Sequence, residues 1–349
     1  MRIISAASAF PKHYYPQQVM TAALSGYWNG RLENPQLLER LHSRAGVDGR
    51  HLALPMTEYY GLNTWGDFNR AWFKAAEELG SQALCRSLAR AGIDRSRVGA
   101  LLFMSITGVA SPSVDGRLIN RMGLSPNVRR MPVFGLGCVG GAAGISRAAD
   151  YVRAYPDQVA ALVSVETCSL TLQRDDLSVA NLISSGLFGD GAAAVLVAGD
   201  DYQAPGPEIV ATKSVFYPGT EEVMGWDISE KGFRIVLSPE VPEVIREHLG
   251  QDVDEFLAEH DLTRASIGAW ILHTGGPKIL EATQDALGLD HEALAASWEC
   301  LRNVGNLSSA SVLVVLEDFM TKRRPDPGTW SILAAMGPGF CSELILLRW

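Results

Sequence analysis

Residues 134–144 read Phe-Gly-Leu-Gly-Cys-Val-Gly-Gly-Ala-Ala-Gly and place Cys138 between a short apolar run and a stretch of small residues. The apolar run (131–134) predicts a strand, and the small residues (140–153) predict a helix that packs closely against its neighbours. A cysteine at a helix N-terminus lies where the helix dipole and the free backbone N–H groups favour an anion. Because the thiolate is the reactive form of cysteine, Cys138 is a candidate nucleophile. Its position alone also fits a buried structural cysteine.

The same segment has a second interpretation, as a dinucleotide-binding loop. Residues 135–140, Gly-Leu-Gly-Cys-Val-Gly, form a GxGxxG pattern between a predicted strand and a predicted helix, and Glu166 ends the next predicted strand. That fingerprint normally belongs to the first strand–helix unit, whereas at least two predicted strands precede this one. A dinucleotide-binding protein that uses this loop is the alternative from a different functional class.

Predicted strands and helices alternate along the chain. Besides residues 131–134, strands are predicted for residues 1–10, 98–105, 159–165, 209–216, 267–272 and 330–335. Helices are predicted for residues 14–40, 76–91, 140–153, 242–260, 277–287 and 307–321. This alternation predicts an α/β fold with buried sheets. The turn-rich segment 199–207 predicts a boundary between an N-terminal half (1–203) and a C-terminal half (204–349).

The second half repeats the pattern around Cys138. Residues 305–311, Gly-Asn-Leu-Ser-Ser-Ala-Ser, follow the same order as residues 137–143: a glycine, a reactive or polar residue, and a helix that opens with small side chains. A duplicated unit would place Cys138 and Asn306 at equivalent helix starts, related by a pseudo-twofold axis. Helix capping is the alternative role for Asn306, because asparagine is favoured at the N-cap.

His273 completes a possible catalytic set. It follows the predicted strand 267–272 and precedes a Thr-Gly-Gly-Pro turn, whose glycines bring the backbone close to whatever the imidazole faces. A solvated turn residue is the alternative. A cysteine with a histidine and an asparagine far along the chain is the pattern of a nucleophile assembled in space. In that interpretation His273 forms an ion pair with the Cys138 thiolate. With Asn306, it also donates hydrogen bonds to a carbonyl oxygen that gains negative charge.

The composition limits the partners and the compartment. The 349 residues carry a net charge of -9 without a basic run, which argues against general nucleic-acid binding. The sequence has no apolar stretch long enough to predict a membrane span and no predicted signal peptide. The five cysteines include no CxxC pair, so we expect reduced thiols in a cytoplasmic protein, with Cys85 and Cys341 as buried structural thiols. The remaining histidines lack metal-ligand spacing, and no metal site is predicted.

Four segments together resemble the signatures of type III polyketide synthases, the chalcone and stilbene synthase family. They are FGLGCVGGAAG (134–144), LHTGGPKIL (272–280), GNLSSASVLVVLED (305–318) and AMGPGF (335–340), with SITGVASPS (105–113) and LFGDGAAAVLV (187–197) adding to the match. The resemblance implies a thiolase-like, duplicated, five-layered αβαβα fold, a homodimer, and CoA thioester substrates without a metal or redox cofactor. Ketoacyl-ACP synthase III enzymes share the Cys-His-Asn trio but generally lack GGP and GPGF, and they are the nearest alternative.

The resemblance also implies roles for the trio. Cys138 takes the starter acyl group from an acyl-CoA. His273 and Asn306 stabilise the enolate that forms when malonyl-CoA loses carbon dioxide, and that enolate attacks the Cys138 thioester. Repetition of this step grows a polyketide, which cyclises in the pocket.

Further pocket positions follow from the motifs. Phe188 matches the first gatekeeping phenylalanine at the mouth of the CoA tunnel. The resemblance also implies pocket positions at Thr107, Ser111, Thr171 and Ser308.

Three positions depart from the plant members of the family. Ile235 stands where they carry a second gatekeeping phenylalanine, Trp226 where they usually have a glycine, and Ser111 where they have a methionine. The aliphatic replacement predicts a fatty acyl starter and an alkylpyrone or alkylresorcinol product. A naphthalene-type pentaketide is the alternative if malonyl-CoA alone is used.

Recognition of CoA by an acidic protein requires a local basic patch. Arg50 lies in GVDGRHLALP (46–55), which resembles the CoA-contacting stretch of the family, with Arg44 close to it in sequence and Lys278 after the GGP turn. These three are the predicted CoA-binding residues, and ordinary surface charges are the alternative. We expect charge reversal at Arg50 to raise the KM for CoA substrates.

Overall fold

The computed structural model describes residues 1–32 and 34–349. In those residues the strands are β1 (Arg2–Ala9), β2 (His13–Pro16), β3 (Gly49–Leu52), β4 (Val98–Met104), β5 (Arg129–Val133), β6 (Val159–Thr167), β7 (Asp190–Ala198), β8 (Glu208–Phe216), β9 (Met224–Ser229), β10 (Gly232–Leu237), β11 (Ile267–Leu272), β12 (Trp330–Gly337) and β13 (Cys341–Arg348). The helices are α1 (Gln17–Tyr27), α2 (Pro35–Ser43), α3 (Met56–Tyr59), α4 (Trp65–Ala91), α5 (Val114–Met122), α6 (Gly140–Ala154), α7 (Val179–Leu187), α8 (Val241–Ala258), α9 (Pro277–Leu287), α10 (Ala295–Val304) and α11 (Ser311–Thr321). Short 3₁₀ turns precede α6 and α11, at Gly137–Val139 and Ser308–Ala310.

The main sheet consists of two similar series of strands. Its order is β11-β12-β13-β8-β1-β7-β6-β4-β5. The series β1-β7-β6-β4 and β8-β13-β12-β11 each pair antiparallel, antiparallel and then parallel. The two series meet where Arg2 of β1 pairs with Glu208 of β8. This repetition confirms the duplicated α/β fold expected from residues 137–143 and 305–311.

Helices α6 and α11 form a central layer. α6 contacts β4, β6 and β7 of the first series and also β12 and β13 of the second, while α11 contacts β1, β7, β11 and β12. Helices α4 and α5 cover the outer face of the first series, and α8 and α9 cover that of the second. The order of layers is therefore helix, sheet, helix, sheet, helix, as the resemblance implies.

The sheets are apolar because both faces are covered. Every residue of β6 and of β7 is buried. Near-continuous apolar runs are typical of strands that are packed on both sides. Each fully buried Val or Leu side chain contributes about 1.5–3 kcal/mol to stability.

The predicted elements are confirmed with shifted ends. α4 begins at Trp65, well before the predicted residue 76, because Thr64 and Asp67 form a capping box that starts the helix. α11 begins at Ser311 and not at residue 307, because a 3₁₀ turn occupies the preceding residues. Residues 14–40 include the end of β2 as well as helical residues. The apolar residues of the 187–197 motif form the central strand β7, which the sequence patterns did not predict.

Two expectations concern side chains at the surface. Cys85, expected to be buried, is exposed on α4. Cys341 is partly buried in β13, with its Sγ near the carbonyl of Pro338 at 3.6 Å.

Among the residues that the structure describes, none of the helices has the length and apolar character needed to cross a membrane.

Candidate active site

Cys138 lies in the tight turn between β5 and α6. Gly137 before it has a φ of 51°, in the left-handed region that glycine adopts without strain. A Cβ atom on Gly137 would lie 2.8 Å from Pro338 Cγ, so the GPGF segment packs directly on this turn. Cys138 is 7% exposed, and its Sγ donates to Ser308 Oγ at 3.8 Å. The GPGF segment therefore joins β12 to β13 and also supports the nucleophile turn.

Asn306 occupies the equivalent position in the second repeat. Gly305 before it also has a positive φ, of 74°. Asn306 Oδ1 accepts hydrogen bonds from the backbone N–H of Ser308 at 2.7 Å and from the Ser311 hydroxyl at 3.3 Å, although the N-cap of the following 3₁₀ turn is Leu307. Its Nδ2 donates to the carbonyl of Gly275 at 3.4 Å, beside the turn that carries His273. The Asn306 amide is therefore held at both ends, and its Nδ2 carries the N–H groups that can donate at the site.

His273 is buried directly after β11. Its backbone N–H donates to the carbonyl of Ala334 at 3.0 Å, and its side chain is 8% exposed. Within the described residues neither ring nitrogen has a hydrogen-bond partner. Buried polar atoms are normally paired, so two unpaired nitrogens at a cavity wall point to a ligand. Burial also lowers the pKa of His273 to about 4, which makes the imidazole neutral at neutral pH.

Burial favours a neutral thiol at Cys138 as well as a neutral imidazole at His273. Burial raises the pKa of Cys138 to about 12, although hydrogen bonds with Ser308 and Asn306 oppose part of this shift. Desolvation disfavours the charged form of both groups, which is opposite to the expected thiolate–imidazolium ion pair, and that pair stays a prediction. A neutral imidazole can still accept the thiol proton during reaction.

One cavity brings the trio together. Cys138, His273 and Asn306 all line a cavity of ≈ 600 Å³. Arg44, directly after α2, and Lys278, in the first turn of α9, line the same cavity and are exposed. Cations at the mouth of an otherwise apolar cavity favour a ligand whose phosphate groups bind these cations while its uncharged part extends into the cavity.

A second, smaller cavity gathers most of the predicted pocket residues. It has a volume of ≈ 120 Å³ and is lined by Thr171, Trp226 and Ile235. Ile235 and Trp226 are paired across the β9–β10 hairpin. Phe188 lines both cavities, so its ring forms part of the wall that they share.

Arg50 is not placed to bind CoA. It is 1% exposed, and its guanidinium donates to Gln17 Oε1 at 2.7 Å, to the carbonyl of Gly186 at 2.5 Å and to the carbonyl of Ser185. The prediction that Arg50 contacts CoA is wrong in this structure, because the side chain is enclosed and its hydrogen bonds go to protein oxygens. Arg50 borders the smaller cavity instead.

The other predicted pocket residues lie elsewhere. Thr107 is buried and its hydroxyl donates to Glu166 at 2.9 Å, whereas Ser111 is exposed in the loop before α5. Neither residue lines the ≈ 600 Å³ or the ≈ 120 Å³ cavity, and their place in the pocket wall stays a prediction. Ser308 contacts the Cys138 thiol and therefore acts on the nucleophile itself.

Glu166 is enclosed near the nucleophile and is not free to bind a ribose. It is 0% exposed and accepts hydrogen bonds from the hydroxyls of Thr107 and Ser309. Burial raises its pKa to about 7. Two glycines of the GxGxxG pattern likewise pack against protein, Gly137 against Pro338 and Gly140 against Ser309. The dinucleotide interpretation is therefore wrong, because protein atoms occupy the positions that the nucleotide needs.

Three residues of this region were missed in the sequence. Cys168 is buried and lines the smaller cavity, while Gln17 and His42 surround the end of α7. Their partners lie far away in the chain, and none of the three belongs to a motif or a periodic pattern. A local sequence signal for them was therefore lacking.

Comparison with known proteins agrees with the geometry. The profile of the N-terminal domain of chalcone and stilbene synthases matches residues 64–201, and the profile of their C-terminal domain matches residues 208–349. The chain is 52% identical over 345 residues to a 1,3,6,8-tetrahydroxynaphthalene synthase of Streptomyces peucetius subsp. caesius, with 98% of this chain and 91% of that protein covered. It is 32% identical over 352 residues to a phloroglucinol synthase of Pseudomonas fluorescens, with 97% of each covered.

Solved structures agree as well. The crystal structure of 1,3,6,8-tetrahydroxynaphthalene synthase from Streptomyces coelicolor A3(2), a bacterial type III polyketide synthase, matches with a TM-score of 0.95 and 30% identity. That match covers 100% of this chain and 99% of the other. The similarity thus extends over both repeats and includes the turns that carry Cys138, His273 and Asn306. The chain therefore belongs to the chalcone and stilbene synthase family of type III polyketide synthases, which are acyltransferases.

Proposed function

We propose that Cys138 carries the growing acyl chain and that His273 and Asn306 stabilise the negative charge that develops on thioester oxygens. The observation that carries this assignment is the shared ≈ 600 Å³ cavity, which the three side chains line together. The unpaired ring nitrogens of His273 support it, since a thioester oxygen can supply the partner that they lack among the described residues. Loss of one such donor typically lowers kcat by about 10²–10³-fold.

Loading of the starter acyl group begins with the Cys138 thiol and the His273 imidazole both neutral. The Cys138 thiol proton moves to His273 as Sγ attacks the thioester carbonyl carbon of the starter. The carbon–sulfur bond to CoA then breaks, CoA takes the proton from His273 and leaves as a thiol, and the acyl group remains on Cys138. The imidazole is neutral before and after the step, which fits its lowered pKa.

Extension uses malonyl-CoA in the same cavity. The bond between the methylene carbon and the carboxylate breaks, carbon dioxide leaves, and the electron pair forms an enolate. The enolate oxygen accepts hydrogen bonds from Asn306 Nδ2 and from the single N–H of the neutral His273. The enolate carbon attacks the carbonyl carbon of the Cys138 thioester and releases Sγ as a thiolate. The lengthened chain is then a CoA thioester. Its transfer back to Cys138 releases CoA and allows the next extension. Arg44 and Lys278 bind the CoA phosphates at the cavity mouth.

For the product, we propose that malonyl-CoA is both starter and extender and that the chain closes to a naphthalene-type pentaketide. Ten ring carbons correspond to five two-carbon units, which needs no other acyl group. The ≈ 120 Å³ cavity that shares Phe188 with the catalytic cavity supports a small starter, since a cavity of about 150 Å³ binds a molecule the size of benzene. The 52% identical relative that is named for a tetrahydroxynaphthalene points the same way.

A fatty acyl starter that leads to an alkylpyrone or alkylresorcinol is the competing product assignment. Its motivation was the aliphatic Ile235, and the smaller cavity does have a mainly apolar lining. A long acyl chain is, however, larger than the benzene-sized ligand that a cavity of about 150 Å³ binds, and this cavity is smaller still. The size of the cavity therefore favours the pentaketide.

The test is an incubation of purified protein with malonyl-CoA alone and with added acyl-CoAs of short, medium and long chain, followed by mass spectrometry of the products. We expect a pentaketide from malonyl-CoA alone, and none with Cys138→Ala. Products that appear only when a fatty acyl-CoA is present would replace the pentaketide assignment. An acyl adduct on protein that lacks Cys138 would refute the assigned nucleophile.

Three further expectations belong to this proposal. We propose that the chain acts as a homodimer in the cytoplasm and that its two halves divide at residues 203 and 204. The homodimer follows from the resemblance, the location from the five cysteines without a CxxC pair, and the division from the turn-rich segment 199–207. Light scattering on the purified protein measures its mass against the 37.7 kDa of one chain. A mass of one chain at working concentrations would exclude the dimer.

A further inference from the structure

Three polar side chains from outside α7 converge on its C-terminal turn. Gln17 Nε2 donates to the carbonyl of Gly186 at 2.7 Å. Arg50 donates to the same carbonyl at 2.5 Å and also to the carbonyl of Ser185. His42 Nε2 lies 3.1 Å from the hydroxyl of Ser185. We refer to Gln17, His42 and Arg50 as the α7 clamp.

The α7 clamp is buried and closely fitted. Gln17 is 8% exposed, and His42 and Arg50 are each 1% exposed. A Cβ atom on Gly186 would lie 2.8 Å from His42 Cγ, so the helix end fits against the imidazole. A buried guanidinium is costly unless it is paired. The carbonyls at the negative end of the helix and the charge of Asp190 both favour the cation. Although burial lowers the pKa of Arg50 to about 10, the side chain stays charged at neutral pH.

The residues that follow the clamped turn belong to the candidate active site. Phe188 follows α7 and lines both cavities. The backbone N–H of Asn306 donates to the carbonyl of Leu187 at 2.9 Å, and the N–H of Gly189 donates to the carbonyl of Asn306 at 2.9 Å. Asn306 is thus hydrogen-bonded on both sides to the segment that the clamp holds. A shift of the last turn of α7 would move Phe188 and Asn306 together.

We propose that Arg50, supported by Gln17 and His42, is a positioning residue that sets the place of Asn306 and Phe188 for the decarboxylation step. This inference rests on the role proposed for Asn306 above. A displacement of about 1 Å at a reacting group can lower a rate by about 100-fold. The clamp therefore affects catalysis through the backbone of Asn306 and not through contact with CoA.

The test compares malonyl-CoA decarboxylation with alkylation of Cys138 by iodoacetamide in the full chain. Arg50→Met is expected to lower kcat for decarboxylation by about 10- to 100-fold, while KM for malonyl-CoA changes by less than about twofold. Alkylation of Cys138 is expected to keep its rate, since the clamp bonds to Ser185 and Gly186 and, within the part of the chain that the structure describes, makes no hydrogen bond to the turn that carries the thiol. Arg50→Lys keeps the charge and should therefore retain a higher kcat than Arg50→Met. Lysine lacks the planar guanidinium group that donates to two carbonyls, so wild-type kcat is not expected.

Two outcomes would overturn the inference. A raised KM with an unchanged kcat would assign Arg50 to CoA binding. A parallel fall of decarboxylation rate, alkylation rate and melting temperature would assign it to general stability. If Arg50→Met does not fold, Gln17→Met carries the same test, because it removes a donor to Gly186 and leaves the arginine in place.

Two reference variants complete the design. Arg86 is exposed on α4 and donates to the carbonyl of Ser8 at 2.7 Å, so Arg86→Met is a matched control that should keep wild-type kinetics. Asn306→Ala defines the loss expected when the amide is absent. If Asn306→Ala retains decarboxylation, the catalytic assignment fails and the inference with it. If Asn306→Ala loses decarboxylation while Arg50→Met retains it, the α7 clamp inference fails alone.

Discussion

Gly141, in the first turn of α6, packs so closely against Ser309 that a Cβ atom at Gly141 would overlap the Ser309 carbonyl oxygen. The same atom would lie 2.8 Å from Val312 Cγ1 of α11. The two central helices therefore approach each other through their first turns, next to Cys138 and Asn306. This close approach fixes the distance between the two repeats at the active site.

Gly141→Ala should consequently destabilise the protein. The added methyl group meets backbone, which cannot rotate away, and overpacking of this kind costs about 1–3 kcal/mol. Urea denaturation measures the free energy of unfolding. Gly26→Ala in α1 is the matched control, because a Cβ atom there has no heavy atom within 4 Å and should leave stability unchanged or raise it by about 0.5–1 kcal/mol. Equal stability of the two variants would contradict the close packing.

Trp226→Ala should enlarge the smaller cavity and change the choice of starter. Each methylene group buried in the space that the indole leaves gains about 0.8 kcal/mol, so kcat/KM for medium-chain acyl-CoAs should rise relative to malonyl-CoA alone. Competition between the starters, read by mass spectrometry of the products, measures this ratio. Ile228→Ala on the same hairpin is the control, because Ile228 is 51% exposed and does not line the cavities described above. An unchanged ratio in Trp226→Ala would mean that the indole does not limit the starter.

Lys278→Glu should raise the KM for malonyl-CoA and leave kcat nearly unchanged. A charge reversed beside a phosphate changes binding by roughly 1–2 kcal/mol in water, which is about 5- to 30-fold in KM. The effect should shrink as salt is added, since exposed charges are screened. Lys74→Glu, an exposed reversal on the outer helix α4, serves as control. The same KM for both variants would remove Lys278 from the CoA site, and the experiment can be repeated with Arg44→Glu.

Alkylation of Cys138 in the free protein should keep accelerating with pH. Because the pKa of Cys138 is raised to about 12, the thiolate fraction grows about tenfold per pH unit throughout the neutral and mildly alkaline range. Peptide mass spectrometry after iodoacetamide treatment between pH 6 and about 9 separates Cys138 from the exposed Cys85. A rate that is already constant below pH 7 would instead demonstrate a preformed thiolate–imidazolium pair.

The sequence predicted those parts of the site that depend on local geometry. A glycine with positive φ before Cys138, and another before Asn306, is visible in the sequence as a glycine at the end of a loop that precedes small residues. The repeated order of residue types was therefore enough to predict that the two turns are equivalent in the fold, although α11 begins at Ser311 and not at the predicted residue 307.

Burial of charged groups could not be predicted in this way. Arg50 has ordinary polar and apolar neighbours in sequence, and the carbonyls that it binds lie far along the chain, at Ser185 and Gly186. The same limit applies to the charge state of the site. Whether Cys138 and His273 are charged depends on how far the fold buries both side chains from water. The sequence motifs around them do not indicate the extent of that burial.

The pairing of Leu187 and Gly189 with Asn306 has a consequence for the chain as a whole. In the proposed mechanism each half supplies only part of the chemistry: the first provides the sulfur and the second provides the imidazole and the amide. If the polypeptide were expressed as two fragments separated after residue 203, neither fragment alone would be able to decarboxylate malonyl-CoA. When the two fragments are mixed, turnover should return only in the fraction of molecules in which the backbone hydrogen bonds at Asn306 re-form. Fragment complementation would thus report how well the two repeats fit together.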